Sequence, residues 1–171
     1  WRWRPTWPAA PTGCAAGTAT ILTPGCYTSI ADTVTTLTSG TYYITGPVNI
    51  GNLSGSGVTL YLTSAGQLVG GNNMKLHLTA PTSGSYAGVA IFQDRTDANG
   101  FATGQNFTFD VNGAIYMPGA DIVMQNSLNL ATTNCTVVIA RTVYIRNGNG
   151  ILSSSGCAAT YPGATYLSVQ L

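Results

Sequence analysis

Short runs of β-branched and aromatic residues, separated by Gly, Pro, Asn and Ser, repeat along the chain from Cys14 onward. Apolar and polar positions alternate within these runs as in strands, and no long stretch has the 3.6-residue spacing of an amphipathic helix. Weak helical candidates are limited to Ala15–Thr20 and Ser29–Thr35, where Thr, Ser and Gly lower helix propensity. The pattern predicts strands at residues 41–45, 58–63, 75–79, 88–93, 107–117, 121–124 and 136–145.

The apolar segments recur at intervals of about 15 to 25 residues, near positions 42, 60, 76, 90, 115 and 138. One coil of a parallel β-helix has about this length, and its inward apolar side chains stack while Thr and Ser face water. We therefore predict an all-β fold, a right-handed parallel β-helix. A β-sandwich is the alternative, because even strand spacing is expected there too.

The first thirteen residues differ from the rest of the chain. They hold three Pro, all three Trp and two Arg, and Pro at this density cannot join a central strand. We predict an N-terminal arm at residues 1–13 and a single solenoid domain at 14–171, which is a usual domain size. The chain opens on Trp1 rather than Met, which indicates a removed leader or a partial sequence.

Charge is scarce throughout the chain. Charged residues make up 6% of it, Glu is absent and the net charge is +1, against about 25% charged residues in a typical protein. So few Lys and Arg cannot neutralise a run of phosphates, which excludes a nucleic-acid partner. No apolar run approaches the length of a membrane-spanning helix.

The four cysteines form two local groups, Cys14 with Cys26 and Cys135 with Cys157. Their spacings match neither a zinc site nor a redox motif, so disulfides are predicted. Three pairings are possible, and we favour Cys14–Cys26 with Cys135–Cys157 because short loops close most readily. Disulfides imply an oxidising compartment, and we expect a secreted protein that is extracellular or at the cell surface.

The densest group of ionisable residues follows the predicted strand 88–93 and contains Asp94, Arg95 and Asp97. Two carboxylates in one loop could serve a glycosidase. The favoured interpretation is structural: a turn or an ion pair that holds the following loop. His77 alternates with apolar neighbours and is expected to point outward or to meet one hydrogen-bond partner. No nucleophile elbow, phosphate loop or H-E-x-x-H motif is present, so we predict no enzyme activity, cofactor or metal.

Residues 79–95, TAPTSGSYAGVAIFQDR, resemble a segment in the C-terminal extracellular region of TadG-like bacterial surface proteins of the tight-adherence (Flp) pilus locus. Similar segments are Gly40–Ile44, Gly57–Leu62, Gly113–Pro118 and Cys135–Cys157, so the resemblance covers most of residues 14–157. It implies an exported, β-helical surface domain. TadG-like proteins also carry an N-terminal membrane helix and often an adhesion-type metal-binding domain, and neither is found in these 171 residues.

Without catalytic chemistry, the function is expected to lie in surfaces. The predicted assembly contacts are the arm residues Trp1, Arg2, Trp3, Arg4 and Trp7, because Trp and Arg are enriched at interfaces. The arm could contact a neighbouring copy, cap its own domain or touch a membrane. The alternating segment 165–171 could close the last coil or add to another subunit's edge.

The predicted function is that of a subunit in a self-assembling bacterial surface filament or layer, with adhesion as a consequence. Its expected partners are copies of itself, together with surface glycans or pilus components. The alternative is a carbohydrate-binding or carbohydrate-active β-helix module. In that case exposed tyrosines would stack against sugars; the candidates are Tyr42, Tyr61, Tyr116 and Tyr144.

Overall fold

The computed structural model describes residues 11–63, 65–125, 129–130, 135–146, 151–152, 157 and 169–170. Strands account for most of these residues. They are β1 Ala15–Gly17, β2 Ile21–Leu22, β3 Gly25–Ile30, β4 Thr36–Leu37, β5 Gly40–Ile44, β6 Pro47–Ser56, β7 Val58–Leu62, β8 Gln67–Thr79, β9 Val89–Gln93, β10 Phe101–Ala102, β11 Thr108–Gln125, β12 Asn129–Leu130, β13 Thr136–Arg146, β14 Ile151–Leu152 and β15 Val169–Gln170.

All pairings among β1 to β13 are parallel, and strands pair with those that occupy the same place in a neighbouring coil. β14 and β15 form a separate antiparallel pair. The predicted right-handed parallel β-helix is therefore confirmed, and the sandwich alternative is wrong. Coil length varies from about 12 residues, where β1 pairs with β3, to about 33, where β8 pairs with β11, a wider range than predicted.

Both helical candidates are wrong. Residues 15–17 form β1, and Ser29 and Ile30 complete β3 before a turn. At Gly17 a Cβ would lie 2.7 Å from Leu22 Cδ1, so the chain passes closely over its neighbour. Ile30 is fully buried in the core. Pairing with the next coil thus decides these segments, because they lack an apolar helical face.

The core consists of columns of inward-facing side chains, with one residue from each coil. Register places Tyr42, Leu60, Ile91 and Ile115 in one column, and each is at most 1% exposed. Burial of such a side chain contributes about 1.5 to 3 kcal/mol. The Tyr42 hydroxyl has acceptors inside the core, since it lies 2.8 Å from a carbonyl oxygen of the first coil and 2.8 Å from that of Thr38.

A second column stands on the outer face of the same strands. It consists of Tyr43, Tyr61, Phe92 and Tyr116, which we call the aromatic ladder. Successive ring centroids are 5.3, 5.0 and 5.1 Å apart, and the planes of Phe92 and Tyr116 differ by 11°. Tyr86, from the loop before β9, packs edge-on against Tyr61, and Phe92 is only 4% exposed. Each aromatic pair contributes about 0.5 to 1.5 kcal/mol beyond its buried area.

Candidate functional site

Both favoured disulfides are formed, Cys14–Cys26 and Cys135–Cys157, each with Cα atoms 4.5 Å apart. Cys26 pairs in register with Tyr43, so the first bridge lies at the start of the aromatic ladder. Cys135 and Cys157 are fully buried, and Cys135 immediately precedes β13. The bridges therefore lie at the first coil and beside the last described coil of the stack.

The predicted group at Asp94, Arg95 and Asp97 forms a turn directly after β9. Asp94 Oδ1 accepts hydrogen bonds from the backbone N–H and the hydroxyl of Thr96, at 2.9 and 2.6 Å, and these bonds lower the pKa of Asp94. Arg95 turns instead towards the ladder: its Nε donates to the Tyr116 hydroxyl at 2.7 Å. The two residues thus have different partners rather than pairing with each other.

Asp97 lies deeper, with 3% of its surface exposed, and its Oδ1 accepts from the Asn99 N–H at 2.8 Å. Gln93, the last residue of β9, is fully buried, and its Nε2 donates to the Asn99 carbonyl at 2.8 Å. We did not predict a role for Gln93. The sequence signal for Gln93 was a polar amide at a strand position whose register partner, Leu62, points inward.

Two ion pairs lie elsewhere on the outer surface of the strands. His77 is largely exposed and contacts Asp110, its register neighbour on β11, with 2.5 Å between Nδ1 and Oδ2. Arg141 pairs with Asp121 through Nε at 2.9 Å. Arg141 and then Thr142 hold the pKa of Asp121 at about 2, below its usual range.

The four tyrosines proposed for sugar stacking do not form one row. Tyr42 is fully buried, so its inclusion was wrong. Tyr61 and Tyr116 belong to the aromatic ladder, where their faces contact Phe92. Tyr144 is 52% exposed and lies beside Val123 in register, on another part of the surface.

An open groove of about 360 Å³ is lined in part by Val123, the register neighbour of Tyr144. Its lining includes Gln67, Val69, Gly100, Ala102, Asp121 and Val123. Most of its lining is apolar, and Gln67 and Asp121 contribute an amide and a carboxylate. Within the part of the chain that the structure describes, no group of three or more His, Cys, Asp or Glu side chains could hold a metal ion.

The last described coil, β13, carries an exposed apolar surface. Ile139 and Val143 are each 44% exposed and Tyr144 is 52% exposed; we call these three residues the β13 surface. Val143 pairs in register with Ile122, which is fully buried one coil earlier. A position that belongs to an interior column is thus partly open to solvent at this end of the stack.

The edges of the end coils are open among the described strands. There, β13 pairs with β11 alone, β1 with β3 alone and β2 with β4 alone. Free backbone N–H and C=O groups on such edges are templates for pairing with another strand. In the first coil, Ala15 and Ala16 of β1 are small and exposed, and Ile21 of β2 is 59% exposed. Among the described strands, the column of Tyr42 ends at Gly25 of β3.

Several predictions fall outside the described residues. These include the arm residues Trp1, Arg2, Trp3, Arg4 and Trp7, and of the segment 165–171 only Val169 and Gln170 are described, as β15. Among residues that are described, no helix is long and apolar enough to cross a membrane.

Comparisons with family models, curated proteins and solved structures find no match to this chain. The resemblance to TadG-like proteins therefore stays a prediction. The disulfides are consistent with an oxidising, extracellular setting.

Proposed function

We propose that the chain is a non-catalytic, secreted structural protein that assembles head to tail at the bacterial surface, with the last coil of one copy on the first coil of the next. The observation that carries this proposal is Val143, an interior-column position that is 44% exposed. A further coil would bury it together with the edge of β13 that has no partner among the described strands. A net charge of +1 leaves little repulsion between copies.

Both described ends of the stack present exposed apolar side chains, and the small residues of β1 support head-to-tail contact. The β13 end presents Ile139, Val143 and Tyr144, whereas the first coil presents the small residues Ala15 and Ala16 on β1 and the larger Ile21 on β2. Val143 against the small residues of β1 leaves room for close packing, while twofold pairing would set Val143 against its own copy. Head-to-tail contacts that do not close into a ring produce filaments.

Light scattering after size-exclusion chromatography, over a concentration series, tests the proposal together with negative-stain imaging. We expect oligomers or filaments for the native chain and their loss in Val143→Arg. Val69→Arg is the matched control, because Val69 is 40% exposed but lies on β8, which has partners on both edges. A native chain that stays monomeric throughout the series contradicts assembly.

Cross-linking separates the two geometries. A mixture of Ala16→Cys and Val143→Cys chains, treated with a short bismaleimide, should give a covalent dimer, while Val143→Cys alone should not. The reverse result indicates twofold pairing and rejects the filament. Deletion of residues 1–12 tests separately whether the arm connects copies: unchanged filaments would exclude that role.

A second candidate function, glycan binding, is supported by the groove that Val123 lines in part. A groove lined by polar groups, Gln67 and Asp121, with an exposed aromatic ring one strand away, is suited to a sugar ring. A glycan array should then give signals that Tyr144→Ala loses and Tyr43→Ala keeps. An empty array argues against binding of the sugars displayed, and a reducing-sugar assay with Asp94→Asn tests for hydrolysis.

A further inference from the structure

Gln93, which ends β9, and Asp97, in the loop that follows, each have a buried side-chain oxygen, Oε1 and Oδ2, that lacks a hydrogen-bond partner among the described residues. Gln93 is fully buried and Asp97 is 3% exposed. A buried carboxylate oxygen that lacks a partner is costly, and a buried amide oxygen adds about 1 to 3 kcal/mol more. The pair therefore requires a physical explanation.

The two side chains converge on one residue. Asp97 Oδ1 accepts from the Asn99 N–H and Gln93 Nε2 donates to the Asn99 carbonyl, both at 2.8 Å. The bond to Asn99 O also fixes the orientation of the Gln93 amide, because a flipped amide would set two acceptors against each other. Oε1 is therefore the atom left over, and the second carboxylate oxygen of Asp97 belongs to the same loop.

More oxygen atoms lie in this loop. A Cβ at Gly119 would meet Asp97 O at 2.5 Å and Arg95 O at 2.8 Å, so two carbonyls converge where Gly119 has no side chain. The guanidinium of Arg95 is engaged with Tyr116 rather than with either carboxylate. Asp97 consequently lacks a positively charged side chain as a partner among the described residues.

We propose that Gln93 Oε1 and Asp97 Oδ2 are ligands of a calcium ion bound by the loop after β9. Carboxylate, amide and carbonyl oxygens are the ligands that Ca²⁺ takes, with flexible geometry. Among side chains, this site draws on one carboxylate, from Asp97, and one amide, from Gln93. With so few charges the site is weak, in the range of about 0.1 to 1 mM that is typical of extracellular modules.

Isothermal titration with CaCl₂ and thermal unfolding with CaCl₂ or EDTA test this site. We expect saturable binding of one ion and a midpoint raised by about 3 to 6 °C at ten times the dissociation constant. MgCl₂ should act more weakly, because Mg²⁺ demands octahedral geometry and holds its waters. An unchanged midpoint and no heat at 20-fold excess over about 1 mM would falsify the proposal; a buried water in place of the ion would give this result.

Two variants identify the ligands. Asp97→Asn keeps an acceptor for the Asn99 N–H and replaces the charged oxygen, so it should fold, as circular dichroism will verify, and lose the calcium response. Asp94→Asn is the matched control, because Asp94 lies three residues away and its Oδ1 is already bonded to Thr96. A response kept by Asp97→Asn, or lost by Asp94→Asn, overturns the assignment.

Discussion

Phe92 lies at the centre of the aromatic ladder and provides a measure of what stacking contributes to this solenoid. Its ring centroid is 5.0 Å from that of Tyr61 and 5.1 Å from that of Tyr116. Replacement of a buried Phe by Ala costs about 3 to 5 kcal/mol, much of which reflects the cavity. Leu is the sharper probe, since it keeps most of the apolar volume and removes only the ring.

We expect a coupling free energy of about 0.5 to 1.5 kcal/mol between Phe92→Leu and Tyr116→Leu in a double-mutant cycle. Loss of the Arg95 hydrogen bond occurs in both proteins that carry Tyr116→Leu, so it cancels in the cycle. Phe92→Leu with Tyr43→Leu is the matched control. Both residues belong to the ladder but Tyr61 separates them, so their effects should add within about 0.5 kcal/mol.

The assay is urea unfolding, followed in parallel by circular dichroism and tyrosine fluorescence. If the two transitions coincide, unfolding can be treated as two-state and a free energy of unfolding can be calculated. If the m-values of the four proteins are equal, their free energies of unfolding can be compared directly. A Phe92–Tyr116 coupling below about 0.3 kcal/mol, or no larger than that of the control pair, refutes the stacking argument. The rings would then stabilise the fold through buried area alone.

Three further outcomes follow from single contacts. Tyr42→Phe removes a buried hydroxyl from two carbonyl acceptors and should lower the free energy of unfolding by about 1 to 2 kcal/mol in urea; no change would show that water replaces it. The Cys14→Ser/Cys26→Ser variant opens a 12-residue loop and should lose roughly 2 to 3 kcal/mol by the same assay, and full native stability would contradict this. The pKa of Asp121 is about 2 when folded, below its unfolded value, so its contribution is present above about pH 4 and is lost as pH falls towards 2. Arg141→Met should flatten this part of a plot of melting temperature against pH, and an unchanged slope would exclude the pair as its source.

The fold could be predicted from the sequence because its strongest strands have a clear residue pattern. Segments such as 58–62 and 136–146 are rich in β-branched and aromatic residues and recur once per coil. β6 was missed, since Gly, Asn and Ser fill its outward positions and Gly51 and Gly55 interrupt its pattern. A Cβ at Gly51 would collide with the Asp32 carbonyl of the preceding coil, a constraint that only the stack reveals.

The aromatic ladder shows why register was harder to predict than strand type. Each of its rings is flanked by inward residues, as in Leu60-Tyr61-Leu62, so the local signal is present. The next ring, however, follows after coils of unequal length, because loops of different size are inserted between strands. Likewise, the exposure of Val143 depends on whether another strand covers β13. The residues next to Val143 in the sequence do not indicate this.

The calcium site and the β13 surface lie at different levels of the stack, and this separation makes the two proposals independent. β9, which ends in Gln93, pairs with β11, and β11 in turn pairs with β13, so one coil lies between them. In a solenoid each coil contacts only its neighbours, and stability is a sum of coil and interface contributions. An ion at Asp97 would therefore stabilise the middle coils, including the longest one, whose loop closure is the most costly. It would leave unchanged the edge of β13 that has no partner among the described strands. A chain could therefore bind calcium as a monomer, or assemble without calcium.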